Sequence, residues 1–396
     1  GKGSGIMSIT QHKKQYEATG AFVKSACETG LPHLQEMADM GRLGAGYLHF
    51  NIDDKGKRCS AASAFLKPIK HRSNLRIETA VQVDKVVFDN KRAHSLICYR
   101  NGKTITYNAQ REIILCAGAI ESPQILQRSG IGPASLLKAL SIDAVYNNDF
   151  VGANLREHLL LGLSFKVKSW ADTENRQYSG LALMRNVLRY IITRTGPMAQ
   201  SPCHAAAFFC SDKQLDAPDI QLMFNPYSRD GNHFSQSPGI SIVGYPMYPK
   251  STGDIRISSS EIDAAPLIKP NYLSNQYDQQ ASIAATRYIR KLAAQTPLSS
   301  VLLEEMPSTA MAKTDEEIID LYRSNGMPGF HATGTCAMGN DSHCSVVDGY
   351  TRVHGVDGLR VVDCSIYPEM LSGVTNASIM AVAMRAADFI LEQHYS

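Results

Sequence analysis

Glu112-Ile-Ile-Leu-Cys-Ala-Gly118, running on into Ala119-Ile-Glu-Ser-Pro-Gln-Ile-Leu-Gln-Arg-Ser-Gly-Ile-Gly-Pro133, decides how this chain folds. A short apolar run ending in glycine reads as a strand buried inside a sheet. Helices are expected after it, over Ser122–Gln127 and Ala134–Leu140. Before it, Leu75–Thr79, Val81–Phe88, Ala93–Arg100 and Lys103–Tyr107 read as short strands. Asp89-Asn90-Lys91 and Asn101-Gly102 supply the turns, the second being a strong hairpin signal. An antiparallel meander therefore feeds the buried strand.

Further out, Gln11–Thr29 has helical content and Gly30 as its stop. The middle, about 160–270, mixes strand-like runs (Gly239–Tyr245, Asp254–Ile257) with loops. Helices are expected over Tyr277–Gln295 and after Thr314, where Thr314-x-x-Glu317 forms a capping box. The strand Leu359–Asp363 leads to a last helix over Asn376–Gln393. Strands and helices alternating at both ends imply an α/β fold, mixed with α+β, whose parts are discontinuous in sequence.

A chain of 396 residues can bury one large core or two joined ones. Apolar content of 44% with 19% charged residues is ordinary for a globular protein. The net charge of +3 argues for neither nucleic acid nor an anionic membrane as partner. Nine widely spaced cysteines, several in apolar runs as Cys98 and Cys116 are, fit free thiols in a reducing compartment, and so a cytoplasmic location. Cys336, His343, Cys344 and His354 lack the short spacing of a zinc site, so no metal is expected. The longest apolar run, Ile113–Ile120, is far too short to span a membrane, and no secretory leader is visible. Gly1-Lys-Gly-Ser-Gly5 is compatible with a processed end, an engineered remnant or a natural loop.

Three segments together resemble the glucose-methanol-choline (GMC) family of flavin oxidoreductases. Gly118–Pro133 is similar to the family's second signature almost position for position. Val151-Gly-Ala-Asn-Leu-Arg-Glu-His158 is similar to its VGxNLxxH. The tail brings Phe330-His331-x-x-Gly334-Thr335-x-x-Met338-Gly339, then Leu359-Arg-Val-Val-Asp363, then Thr375-Asn376. Arg58-Cys-Ser-Ala-Ala62 and Pro270-Asn-Tyr-Leu-Ser274 are weaker matches, all in the family's order.

The resemblance implies part of a Rossmann-like FAD-binding domain plus a substrate domain built on an antiparallel sheet with helices. Its boundaries would be 1–73 leading into the FAD-binding fold, 74–159 within it, 160–328 for substrate, and 329–396 returning to it with the catalytic residues. One part is missing. The family's Gly-x-Gly-x-x-Gly loop does not occur, and Gly41-Arg-Leu-Gly44-Ala-Gly46 has another order and follows no strand. Roughly 150 residues of such a fold are therefore expected from a second chain or a lost segment.

By the same resemblance the chain oxidises a primary or secondary alcohol to an aldehyde or ketone with FAD, in choline dehydrogenase-like fashion. His331 would take the hydroxyl proton, since imidazole titrates near neutral pH. Asn376 would hold the substrate oxygen, a role compatible with a plain helix N-cap. Backbone N–H groups of Ala377 and Ser378 would face the flavin's negative pole. Asp363 and Cys364 would line the ribityl and pyrophosphate, Val83 the adenine, and Ala117 and Gly118 would let backbone approach; packing is an equal account of Cys364. Phe330 would wall the flavin or substrate, and His158 reads as structural. Substrate contacts are expected from Ala205–Phe209 and Met223–Tyr227, whose character hints at an apolar alcohol. Oxygen, a quinone or a cytochrome would each serve as electron acceptor. Two other readings stand beside this one: a hydroxynitrile lyase with a structural flavin, and a non-catalytic subunit or fragment that docks a partner.

Overall fold

Period-two burial and helical stripes sort the residues into two compact units in a computed structural model, which describes residues 5–11, 16–37, 42–231 and 233–395. One unit comprises Gly1–Ile77, Leu159–Pro246 and Gln279–Met327; the other comprises Glu78–His158, Met247–Asp278 and Pro328–Ser396. In chain order the main elements are α1 (Glu17–Glu28), β1 (Gly44–Tyr47), β2 (Gln82–Asp89), β3 (Arg92–Arg100), β4 (Lys103–Asn108), β5 (Ile113–Leu115), α2 (Gly118–Arg128) and β6 (Leu159–Val167). There follow α3 (Gly180–Thr193), β7 (Ala205–Phe209), β8 (Ile220–Asn225), β9 (Gly239–Pro246), α4 (Gln276–Ala293), β10 (Leu302–Glu305), α5 (Asp315–Asn325), β11 (Leu359–Val361) and α6 (Asn376–Tyr395).

In the first unit an antiparallel sheet runs in the order β10–β6–β9–β8–β7–β1. Leu222 and Phe224 on β8 share one face with Gly244 of β9, and α1 and α4 cover that face. Phe22 of α1 meets Phe224 at 5.3 Å between ring centroids, and Tyr288 of α4 stacks on Phe209 at 3.9 Å. Phe22, Leu222 and Phe224 are fully buried. Each contributes roughly 1.5–3 kcal/mol of transfer free energy. On the opposite face Ala206, Met223 and Val243 lie in one cross-strand row. Ala206 and Met223 belong to the stretches expected to meet substrate.

The second unit carries the β2–β3–β4 meander and the pair β5–β11, which is parallel. Its core joins Val86, Leu115, Leu126, Cys336 and Val361. Arg360 of β11, almost fully buried, pairs with Glu112 at 2.7 Å and also reaches Gln393, tying α6 to the strand pair.

Several expectations shift. Leu75–Thr79 forms no strand: its side chains are mostly exposed, with no neighbour to reward alternation. The first helix begins at Glu17, not Gln11, because Thr10 and Gln11 pair with His49 and Phe50; residues 12–15 of that expected helix, like residues 1–4 of the terminus, lie outside the described residues. Gly44–Tyr47 is itself an edge strand on β7. β5 is buried on one face only, with Ile114 41% exposed, and among the described residues β11 is its one strand partner. No helix is long and apolar enough to cross a membrane among the described residues.

Candidate active site

The ends of β5 and β11 are locked together. Asp363, just beyond β11, accepts hydrogen bonds from the Gly118 N–H at 3.0 Å and the Ser122 hydroxyl at 2.5 Å. Its other oxygen accepts the Ser365 N–H at 2.8 Å. α2 begins at Gly118, four residues before the expected start, with Pro123 inside it. Proline has no N–H, so the carbonyl four residues back loses its helical donor. That carbonyl belongs to Ala119, and the Thr335 hydroxyl donates to it at 2.7 Å. The segment carrying His331 is thereby pinned to the strand–helix turn.

The same segment runs beside residues 154–158, with Arg156 bridged to Thr333. Gly334 has φ +87°, and a Cβ there would stand 2.2 Å from the Asn154 carbonyl oxygen, so only glycine fits. Glu157 is the anchor. Its buried carboxylate accepts the His331 N–H at 2.9 and 3.0 Å and the His158 N–H at 2.9 Å. Burial nevertheless keeps its carboxyl above the usual range. Replacing Glu157 with Gln puts an NH₂ where N–H groups need an acceptor. The expected loss is roughly 1–3 kcal/mol, read as a lower urea midpoint at constant m; an unchanged midpoint would remove Glu157 as anchor.

His158 lies fully buried between two partners. Its Nε2 is 2.9 Å from the Met247 carbonyl, and its Nδ1 is 3.0 Å from Nδ1 of His331. A carbonyl only accepts, so the proton of His158 sits on Nε2. Burial lowers its pKa from 6.5 to about 3, so the ring is neutral and Nδ1 carries a lone pair. His331 must then donate from Nδ1, which leaves its Nε2 as the basic nitrogen. Burial also lowers the pKa of His331 and keeps it ready to accept a proton near neutrality.

Residues 3–160 match the family model of the N-terminal GMC oxidoreductase domain, and residues 249–383 match that of the C-terminal one. The chain belongs to the GMC oxidoreductase family. It is 34% identical over 393 residues to an oxygen-dependent choline dehydrogenase of Pectobacterium atrosepticum, covering 98% of this chain and 69% of the relative. The enzyme of that name from Stenotrophomonas maltophilia is 33% identical over 394 residues, covering 98% and 70%. Among solved structures, pyridoxine 4-oxidase from Mesorbium loti superposes with TM-score 0.86 at 26% identity, covering 99% of this chain and 73% of that one. Formate oxidase from Aspergillus oryzae shares the fold with TM-score 0.91 at 22% identity, covering 99% and 73%. The mixed α/β architecture expected from the sequence is the one the chain adopts.

In this GMC oxidoreductase the other expected site residues are spread over several elements. Ala117, Gly118 and Asp363 sit at the locked strand ends, and the Asp363 carboxylate is spent on the lock. Asn376 and Ala377 are exposed in the first turn of α6, while Ser378 turns back to donate to the Thr375 carbonyl at 2.9 Å. No hydrogen bond joins Asn376 to His331 among the described residues. Cys364 is half-buried and its thiol is pushed up by burial. Val83 packs half-buried against the core of the second unit. Phe330, just before His331, is 88% exposed and has φ +59°, a left-handed conformation that costs a bulky residue energy. Sequence reasoning treated His158 as structural and passed over Glu157. Their adjacency within Val151–His158 was visible, but their contact with residue 331, over 170 positions away, was not.

Proposed function

We propose that this GMC oxidoreductase oxidises a primary or secondary alcohol to an aldehyde or ketone with FAD, using His331 as base. The observation that carries the proposal is the contact between His158 and His331, which leaves Nε2 of His331 as the proton acceptor. That nitrogen removes the alcohol's hydroxyl proton. Asn376, exposed at the head of α6, donates its side-chain N–H to the substrate oxygen and orients it.

The residues present fit FAD. The strand ends at Ala117 and Gly118 are open, and a Cβ at Gly118 would meet nothing within 4 Å. Crevices at the carboxyl ends of parallel strands are where nucleotides bind in open α/β sheets. The N–H groups opening α6 suit the negative pole of a reduced flavin. When bound, FAD supplies the acceptor for the hydride that leaves the alcohol carbon. The main grip on the nucleotide is proposed to come from polypeptide outside these 396 residues. Ile114, Met384 and Leu391 leave apolar surface on β5 and α6 for it to cover.

The test is anaerobic addition of choline, aliphatic and aromatic alcohols to the FAD-loaded protein. Bleaching of the flavin band is expected with at least one. If none bleaches it, while cyanohydrins release cyanide, the oxidation reading fails and the lyase reading replaces it.

A further inference from the structure

Helix α3 is built for a surface unlike water. Leu181, Met184, Val187, Leu188, Ile191 and Ile192 are between 40% and 84% exposed. At about 100° per residue they form one continuous arc of roughly 140°. The opposite side holds the helix to its own unit: Asn186 is buried, and its Nδ2 donates to the Gln177 carbonyl at 3.0 Å and to Gln177 Oε1 at 2.9 Å. The apolar arc is therefore not the packing face.

Charge selects the occupant. Residues 175–211 contain Arg176, Arg185, Arg189 and Arg194 and no Asp, Glu or Lys, a local excess that the whole-chain charge of +3 conceals. Arg185 and Arg189 flank one edge of the arc. Arg185 joins no ion pair among the described residues; Arg189 donates only to the Thr195 hydroxyl, at 3.0 Å. That edge borders a cleft of about 720 Å³ lined by Arg185, Arg189, Arg194 and Thr195. Among the described residues the one carboxylate there, Asp53, already accepts the N–H groups of Lys55 and Lys57.

We infer that α3 is an interfacial anchor for an anionic lipid surface. Its apolar arc lies at the acyl boundary and its arginines lie on lipid phosphates. The helix has 14 residues. That gives roughly 21 Å, too short to span a hydrocarbon core of about 30 Å but ample for lying in the interface. A second copy fits less well, because a two-fold contact through this arc brings Arg185 and Arg189 toward their own images. This inference stands apart from the proposed oxidation.

The test is cosedimentation of the FAD-loaded, full-length protein with vesicles of phosphatidylcholine alone or with one quarter phosphatidylglycerol. Binding is expected to the anionic vesicles, falling in 0.5 M salt, and to be at least about tenfold weaker to the neutral ones. Leu188→Glu with Ile191→Glu should abolish it. Arg185→Gln with Arg189→Gln should weaken it about tenfold or more. Met311→Glu, at another exposed apolar position, should leave it unchanged. No binding to anionic vesicles, binding indifferent to both α3 variants, or a dimer that the Leu188/Ile191 variant splits without any lipid binding would each overturn the inference.

Discussion

Replacement of His331 with alanine is expected to slow flavin reduction by an alcohol at least about a hundredfold while FAD stays bound. An alcohol is a poor hydride donor until its hydroxyl proton leaves, so removing the base raises the barrier of the hydride step itself. The effect should appear in the limiting rate at saturating alcohol, since alanine leaves the Glu157 anchor, which acts on backbone N–H groups, in place. The pH profile adds a second signature. Burial sets the pKa of His331 below 6.5, so the neutral base is present at pH 7 and the rate falls only as pH drops through that lowered pKa. The variant should lose this acid limb. Stopped-flow reduction under anaerobic conditions measures both, and an unchanged rate would remove His331 from the mechanism.

What sequence made legible follows the range of the interactions concerned. The capping box at Thr314 and Glu317 forms with both reciprocal hydrogen bonds, at 3.2 and 2.9 Å, because it closes within three residues. The Asn101-Gly102 hairpin closes as expected for the same reason, with both residues at positive φ. Leu75–Thr79 failed because alternation makes a strand only where a neighbour exists to pair with it. The helix α2 starts four residues before Ser122 and runs through Pro123, because the carbonyl that proline orphans is satisfied by Thr335, over 200 residues later. The base itself could be named from its motif. Its protonation could not, since that depends on a carbonyl at Met247 and a ring at His158 brought together only by folding.

His158 should therefore matter more than a structural histidine would. Leucine at this position offers no acceptor to the Nδ1–H of His331, so His331 can move its proton to Nε2 and cease to be a base. Losing one such hydrogen bond costs roughly 1–3 kcal/mol, or about 5- to 150-fold in the reduction rate. The loss should fall on kcat, because His158 is buried and acts through His331 alone. Glutamine is the discriminating variant: its carbonyl can accept from His331 while its NH₂ donates to Met247, so His158→Gln should recover most of the rate that His158→Leu loses. Equal losses in the two variants would reduce His158 to packing. Stability gives an independent reading. With a folded pKa of about 3 against 6.5 unfolded, the neutral ring contributes fully above pH 6.5. Below that the unfolded chain gains a proton that the folded ring refuses, and stability falls as pH drops from 6.5 towards 3. Between pH 6.5 and 5 this single ring accounts for about 2 kcal/mol. Unfolding free energies from urea titrations of the parent and His158→Gln should converge by that amount over the same interval, because glutamine does not titrate. If the difference between them stays constant with pH, the ring is not held neutral and the proton assignment on His331 fails with it.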